Sequence, residues 1–162
     1  MLRYTEFGLS HQEVPNESAI CIYISGCPNR CRNCHYPELQ DWLNGDPLRS
    51  QLSNIIDLYY SQATCVCFLG EGDCSQESKN ELSEYAECIS ARGLRVCLYS
   101  GRDVSIEEWM NCFSIEEWMN CFDYVKLGSY KEEQGDLHSK TTNQRFYQKK
   151  NGVFVDRTEL FW

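Results

Sequence analysis

The sequence predicts an α/β protein, a compact incomplete (β/α) barrel of mainly parallel strands, on three observations. Four short runs of apolar, β-branched and aromatic residues recur along the chain, and each ends at or near a glycine. Longer stretches with helical spacing lie between them. The 162 residues, 42% of them hydrophobic, suffice for one core and so for a single domain over 1–162.

The runs cover residues 19–24, 64–69, 94–99 and 123–127. Their near-continuous apolar character suits strands buried on both faces, as parallel strands are. Between the first two, residues 47–60 repeat Leu48, Leu52, Ile55, Ile56 and Tyr59 on one helical face. Between the second and third, residues 75–92 do the same with Leu82, Tyr85, Ala86 and Ile89. Such alternation implies βαβ units with right-handed crossovers, and it places a site in the loops beyond the carboxyl ends of the strands. Near the end, residues 145–149 and 152–156 flank Lys150-Asn151-Gly152, a hairpin turn.

Directly after the first strand stands Ser25-Gly26-Cys27-Pro28-Asn29-Arg30-Cys31-Arg32-Asn33-Cys34. The spacing C-x3-C-x2-C brings three thiolates, Cys27, Cys31 and Cys34, into one small volume. An iron–sulfur cube usually takes four cysteines, so a three-thiolate loop leaves one iron open to something other than protein. A structural zinc site wants four ligands and paired C-x2-C knuckles. Only Cys31 and Cys34 form such a pair, with His35 or a distant cysteine to complete it. At least six of the other eight cysteines read as small core residues, because most sit within apolar runs.

Eleven cysteines is an odd count, and the chain opens Met1-Leu2-Arg3-Tyr4-Thr5-Glu6 with no apolar signal segment. Reduced thiols in the cytoplasm fit this better than a disulfide framework. A formal charge of −9 disfavours attachment to nucleic acid. No apolar run approaches the roughly 18 residues of a membrane span.

A second candidate site follows the second strand at Gly70-Glu71-Gly72-Asp73. Its glycines permit a close backbone approach, and its two acids offer acceptors to a cationic ligand. Taken alone, glycine plus acid after a strand is most often a turn leading into a helix. Ser100 and Lys126 stand at the ends of the later strands, on the same rim.

These motifs resemble a known superfamily, the radical S-adenosylmethionine enzymes, whose C-x3-C-x2-C loop follows the first strand and whose Gly-Gly-acid motif receives the methionyl amine. More narrowly, the segments beginning at Cys27, Cys65, Tyr99, Tyr124 and Thr141 look like those of the activating proteins of anaerobic ribonucleoside-triphosphate reductases, in the same order along the chain. The resemblance implies that Cys27, Cys31 and Cys34 hold a [4Fe-4S] cluster. It implies that S-adenosylmethionine binds the open iron and that Gly70, Glu71, Gly72, Asp73, Ser100 and Lys126 line its site; which of Glu71 and Asp73 faces the amine stays open. It also implies reductive cleavage to a 5′-deoxyadenosyl radical, a glycyl radical made on the large reductase subunit, and a low-potential electron donor of flavodoxin or ferredoxin type. The chain departs from the pattern at Asn33, where an aromatic residue is common, and at Glu71, which splits the usual adjacent glycines. Two alternatives remain: a radical enzyme acting on another peptide or small molecule, and a non-catalytic metal-binding module.

One feature lies outside that resemblance. The nine residues 105–113 are repeated without change as 114–122. Nine residues added within one helix would turn everything beyond them by roughly half a circle, so that Trp109 and Trp118 would face opposite ways. Each copy also opens with its own Ser-x-x-Glu capping box. The repeat therefore reads as an inserted copy, whose deletion is expected to leave activity and melting temperature unchanged or improved. Residues 129–147, polar and mixed in charge, read as a solvated loop placed to dock the reductase or cover the cofactor.

Overall fold

The structure, a computed structural model, describes residues 1–103 and 120–162. Eight strands form one sheet among the described residues: β1 (Arg3–Ser10), β2 (Ala19–Ile24), β3 (Asp46–Pro47), β4 (Cys65–Leu69), β5 (Arg95–Tyr99), β6 (Tyr124–Leu127), β7 (Arg145–Lys150) and β8 (Val153–Asp156). The spatial order is β3-β1-β2-β4-β5-β6-β7-β8. The four expected strands are its centre and run parallel, β2 beside β4, β4 beside β5 and β5 beside β6. The outer strands β1, β3, β7 and β8 pair antiparallel. Parallel pairing is thus confined to the centre, whereas the composition suggested a mainly parallel sheet.

Two α-helices with described bounds pack on it, α1 (Leu52–Tyr59) and α2 (Gln76–Ala91). The helix expected over 47–60 begins later because Asp46 and Pro47 pair with Tyr4 and Arg3 at the sheet edge. Leu48 is nevertheless fully buried. Ser75 caps α2 by accepting from the Ser78 amide at 3.2 Å, a contact worth about 1 kcal/mol. Both helices pack on one face of the sheet, where Leu52, Ile55, Leu82 and Ile89 meet Ile20, Ile22, Val66, Phe68, Val96 and Leu98.

The opposite face carries Cys21, Cys65, Cys67 and Cys97, packed with Val14, Tyr124, Leu137 and Phe146. Cys21, Cys67 and Cys97 stand in register across three neighbouring strands. Burial pushes the Cys65, Cys67 and Cys97 thiols up, so these are inert core residues. At least six cysteines were expected to pack in the core; these four are buried, Cys121 packs half-buried against the helix-side core, Cys74 is half-buried and Cys88 is exposed. Cys112 lies outside the described residues, as does the repeat except for its last three positions, of which Phe122 is fully buried in the helix-side core. The hairpin turn forms as expected, with Asn151 and Gly152 at φ +51° and +77°. No helix among the described residues is long and apolar enough to cross a membrane.

Candidate iron–sulfur site

The loops beyond the carboxyl ends of β2, β4, β5 and β6 converge on one cavity of about 340 Å³. Its lining includes Cys27, Cys34, Gly70, Ser100, Gly101 and Lys126, with Tyr23, Leu69 and Tyr99 from the strand ends. The parallel centre of the sheet causes this convergence, since four strands pointing the same way end on one rim.

The cysteine loop is pinned at its start. Ser25 N donates to the Arg3 carbonyl at 2.9 Å, and the amides of Gly26 and Cys27 both donate to the Leu39 carbonyl, at 2.7 and 2.9 Å. Gly26 adopts φ +100°, and a Cβ there would stand 3.2 Å from the Gly72 carbonyl carbon and 3.3 Å from the Asp73 nitrogen. Only glycine lets the cysteine loop and the acidic loop lie this close. Further along, Cys34 N donates to the Cys31 carbonyl at 3.2 Å, and Asn33 takes a left-handed φ of +53°.

Cys27, Cys31 and Cys34 are each half-buried free thiols. Burial pushes the Cys27 thiol up and the neighbouring Cys31 and Cys34 thiols add to this, against a hydrogen bond from the Asn29 backbone. Ligation requires the thiols to be deprotonated, so iron binding and proton release go together. The donor set, soft sulfur ligands in a half-exposed loop, fits an iron–sulfur cluster. Among the described residues no three His, Cys, Asp or Glu side chains converge on a single-ion position. A cluster differs from an ion in that each thiolate takes its own iron atom. The His35 ring packs on Tyr130, with centroids 4.7 Å apart.

The acidic loop divides its tasks. Gly70, at φ +117°, lines the cavity and would place a Cβ 3.0 Å from the Ile24 carbonyl oxygen. Glu71 is buried and pairs with Arg102, whose Nε lies 2.6 Å from Oε1. Neither Glu71 oxygen meets a well-aligned donor among the described residues. Burial raises the Glu71 carboxyl, an effect opposed by Cys74 and Arg102. Asp73 accepts from Ser75 N at 3.0 Å and Ser78 Oγ at 2.7 Å, which commits it to the start of α2. Gly72 packs against Leu2 and Ser78. Of this motif, Gly70 reaches the cavity; Glu71, Gly72 and Asp73 stand behind it.

Lys126 and Ser100 do meet at the cavity, and Ser100 N donates to the Lys126 carbonyl at 2.8 Å. The Lys126 ammonium donates to the Gly128 carbonyl at 3.0 Å and lies 5.6 Å from the Tyr99 ring centroid. Burial lowers its pKa to about 8, while Cys31, Cys27 and Asp103 pull the other way.

Several contributors are not marked by any motif. Asn29 reaches across to Gly101, and Tyr36, Tyr130, Leu137 and Phe161 complete the cavity wall from distant parts of the chain. Arg102, partner of the buried Glu71, sits two residues after Ser100 in the segment beginning at Tyr99, but was not among the expected site residues.

The fold and the cysteine loop together define an iron–sulfur protein. Residues 18–149 match the family model described as the 4Fe-4S single cluster domain, and the chain belongs to that family. The match takes in the cysteine loop and all four parallel strands. No curated protein and no solved structure shows a significant match to the chain.

Proposed function

We propose that this protein is a radical S-adenosylmethionine activase that installs the glycyl radical on the large subunit of an anaerobic ribonucleoside-triphosphate reductase. With this goes the proposal that the sheet, helices on one face and cavity on the other, is the incomplete (β/α) barrel of that superfamily. The supporting observation is that Cys27, Cys34, Gly70, Ser100 and Lys126, which the resemblance assigns to one cofactor site, line a single cavity. When bound, the cluster and S-adenosylmethionine supply reductive cleavage to a primary carbon radical, chemistry that no side chain offers.

The chain's own residues would bind and orient. Cys27, Cys31 and Cys34 are the ligands for the cluster. Lys126, the buried cation at the cavity, suits the methionyl carboxylate, and its lowered pKa of about 8 still leaves most of it charged at neutral pH. Gly70 offers backbone without a side chain in the way, and Ser100 offers a hydroxyl. The aromatic walls exclude water from a reactive intermediate. The protein donor of electrons and the reductase subunit complete the proposed assembly.

One observation favours a second reading, a non-catalytic iron–sulfur module. Both acids of the motif are engaged, Glu71 with Arg102 and Asp73 with α2, and neither lines the cavity.

The discriminating experiment is anaerobic reconstitution with iron and sulfide, reduction, and chromatographic assay of 5′-deoxyadenosine, comparing the parent with Cys31→Ala. Cysteine-dependent product supports the radical enzyme, and electron paramagnetic resonance on the reductase subunit then looks for the glycyl radical. Product without any glycyl radical points to another peptide or small-molecule substrate. Iron bound in a folded protein that makes no product selects the non-catalytic module.

A further inference from the structure

We propose that Glu132 is a positioning residue for the cluster loop, and that through it cluster loading and the docking of residues 129–143 against that loop favour one another. The two residues between Cys31 and Cys34 both reach this one carboxylate, 99 positions away from Asn33. Asn33 Nδ2 donates to Glu132 Oε1 at 2.7 Å, and Arg32 Nε lies 3.6 Å from Oε2. The two contacts are unequal. The Arg32 side chain is 88% exposed and its ion pair is long, whereas the Asn33 hydrogen bond, though also at the surface, has the shorter and better-directed geometry. Asn33 is also the loop residue held at φ +53°, a left-handed conformation that asparagine tolerates. On the far side of Cys34, His35 packs on Tyr130. Two residues of the segment thus grip the chain on both sides of one ligand.

Loss of a group bonded directly to a metal ligand typically costs about 10–100-fold in metal affinity; Glu132 acts one residue further out, through Asn33 beside Cys34, so an effect at the low end is expected. Coupling is reciprocal: if docking of the segment favours the binding shape of the loop, the cluster favours docking by the same factor. Tyr130 and Leu137 of the segment line the cavity, so its docking also completes the cavity wall.

The test uses the whole chain loaded anaerobically with ferrous iron and sulfide, and follows iron release to a chelator in the parent, E132A, E132Q and E133A. Glu132→Ala is expected to release iron about tenfold faster. Glu132→Gln keeps an acceptor for the Asn33 amide and is expected to return most of the parent rate, and Glu133→Ala, an exposed neighbour, to match the parent. Amide exchange over 129–143 is expected to slow on loading in the parent, and that slowing to be lost in E132A. Parent-like release from E132A, equal acceleration by E133A, failure of E132Q to restore the rate, or exchange indifferent to loading would each overturn the proposal. Should E132A fail to fold by circular dichroism, Asn33→Ala removes the other end of the same hydrogen bond and is held to the same outcomes. The inference rests on the cluster and not on S-adenosylmethionine, so a protein that makes no 5′-deoxyadenosine overturns the activase and leaves this standing.

Discussion

The side-chain amide of Asn29 donates to the Gly101 carbonyl at 2.7 Å, tying the cysteine loop to the loop beyond β5. A Cβ on Gly101 would collide with that amide, the free end of a side chain and not backbone. Gly101→Ala is therefore expected to cost under about 1 kcal/mol in thermal unfolding, since the side chain can swing aside. The latch is lost all the same, and iron release from the loaded protein is expected to quicken.

Replacing any one of Cys27, Cys31 or Cys34 by alanine is expected to abolish stable cluster binding, read as iron and sulfide content after reconstitution. Cys88→Ser, at an exposed position on α2, is expected to leave both unchanged. Equal loss from Cys88→Ser would mean that the wrong thiols have been assigned.

Gly26→Ala combines a φ of +100° with backbone contacts at 3.2 and 3.3 Å that cannot move aside. It is expected to cost about 1–3 kcal/mol in denaturant unfolding. The same change should pry the cysteine loop from the acidic loop and lower iron content in step.

Burial tends to raise the Asp73 carboxyl, but its hydrogen bonds from Ser75 and Ser78 outweigh this and hold it below the usual aspartate value. A lowered pKa contributes stability above the unfolded value near 4, lost as pH falls through the folded value. Asp73→Ala is thus expected to destabilise the protein by about 1 kcal/mol at pH 7. The gap between parent and variant should close as pH falls below about 4. A gap independent of pH would contradict an ionised helix-start acceptor.

Glu17 is buried where β4, β5 and β6 begin, accepting from Tyr124 OH at 2.6 Å and from Thr64 Oγ1, just before β4, at 2.5 Å, and pairing with Arg95. Glu17→Ala strands these donors and is expected to cost about 2–3 kcal/mol, with no change in iron content when the folded fraction is compared.

The four central strands were legible because each is buried on both faces and so carries an unbroken apolar signal. The outer strand β1 was not, since Arg3–Ser10 is mostly half-exposed and mixes charge with apolar residues. Its strand state comes from pairing with β2, a partner that local pattern does not reveal. β3 is shorter still, two residues held against Arg3 and Tyr4, and it took the place of a helix start. The same division runs through the site. Cys27, Cys31 and Cys34 stand out by spacing, whereas the partners of Asn29, Arg102 and Glu132 lie 72, 31 and 99 positions away, where local spacing does not reach.

By itself the sequence determined that three cysteines share one loop after a buried strand, and the strand–helix order that puts such a loop on a rim. Those properties are local, set by spacing along a few residues and by the apolar period of each segment. The tertiary structure decided which residues share the cavity. It brought Gly70, Ser100 and Lys126 beside Cys27, and it turned Glu71 toward Arg102 and Asp73 toward the start of α2. A carboxylate takes the donors that folding places within reach, and a sequence gives the order of groups along the chain but not their distances through space.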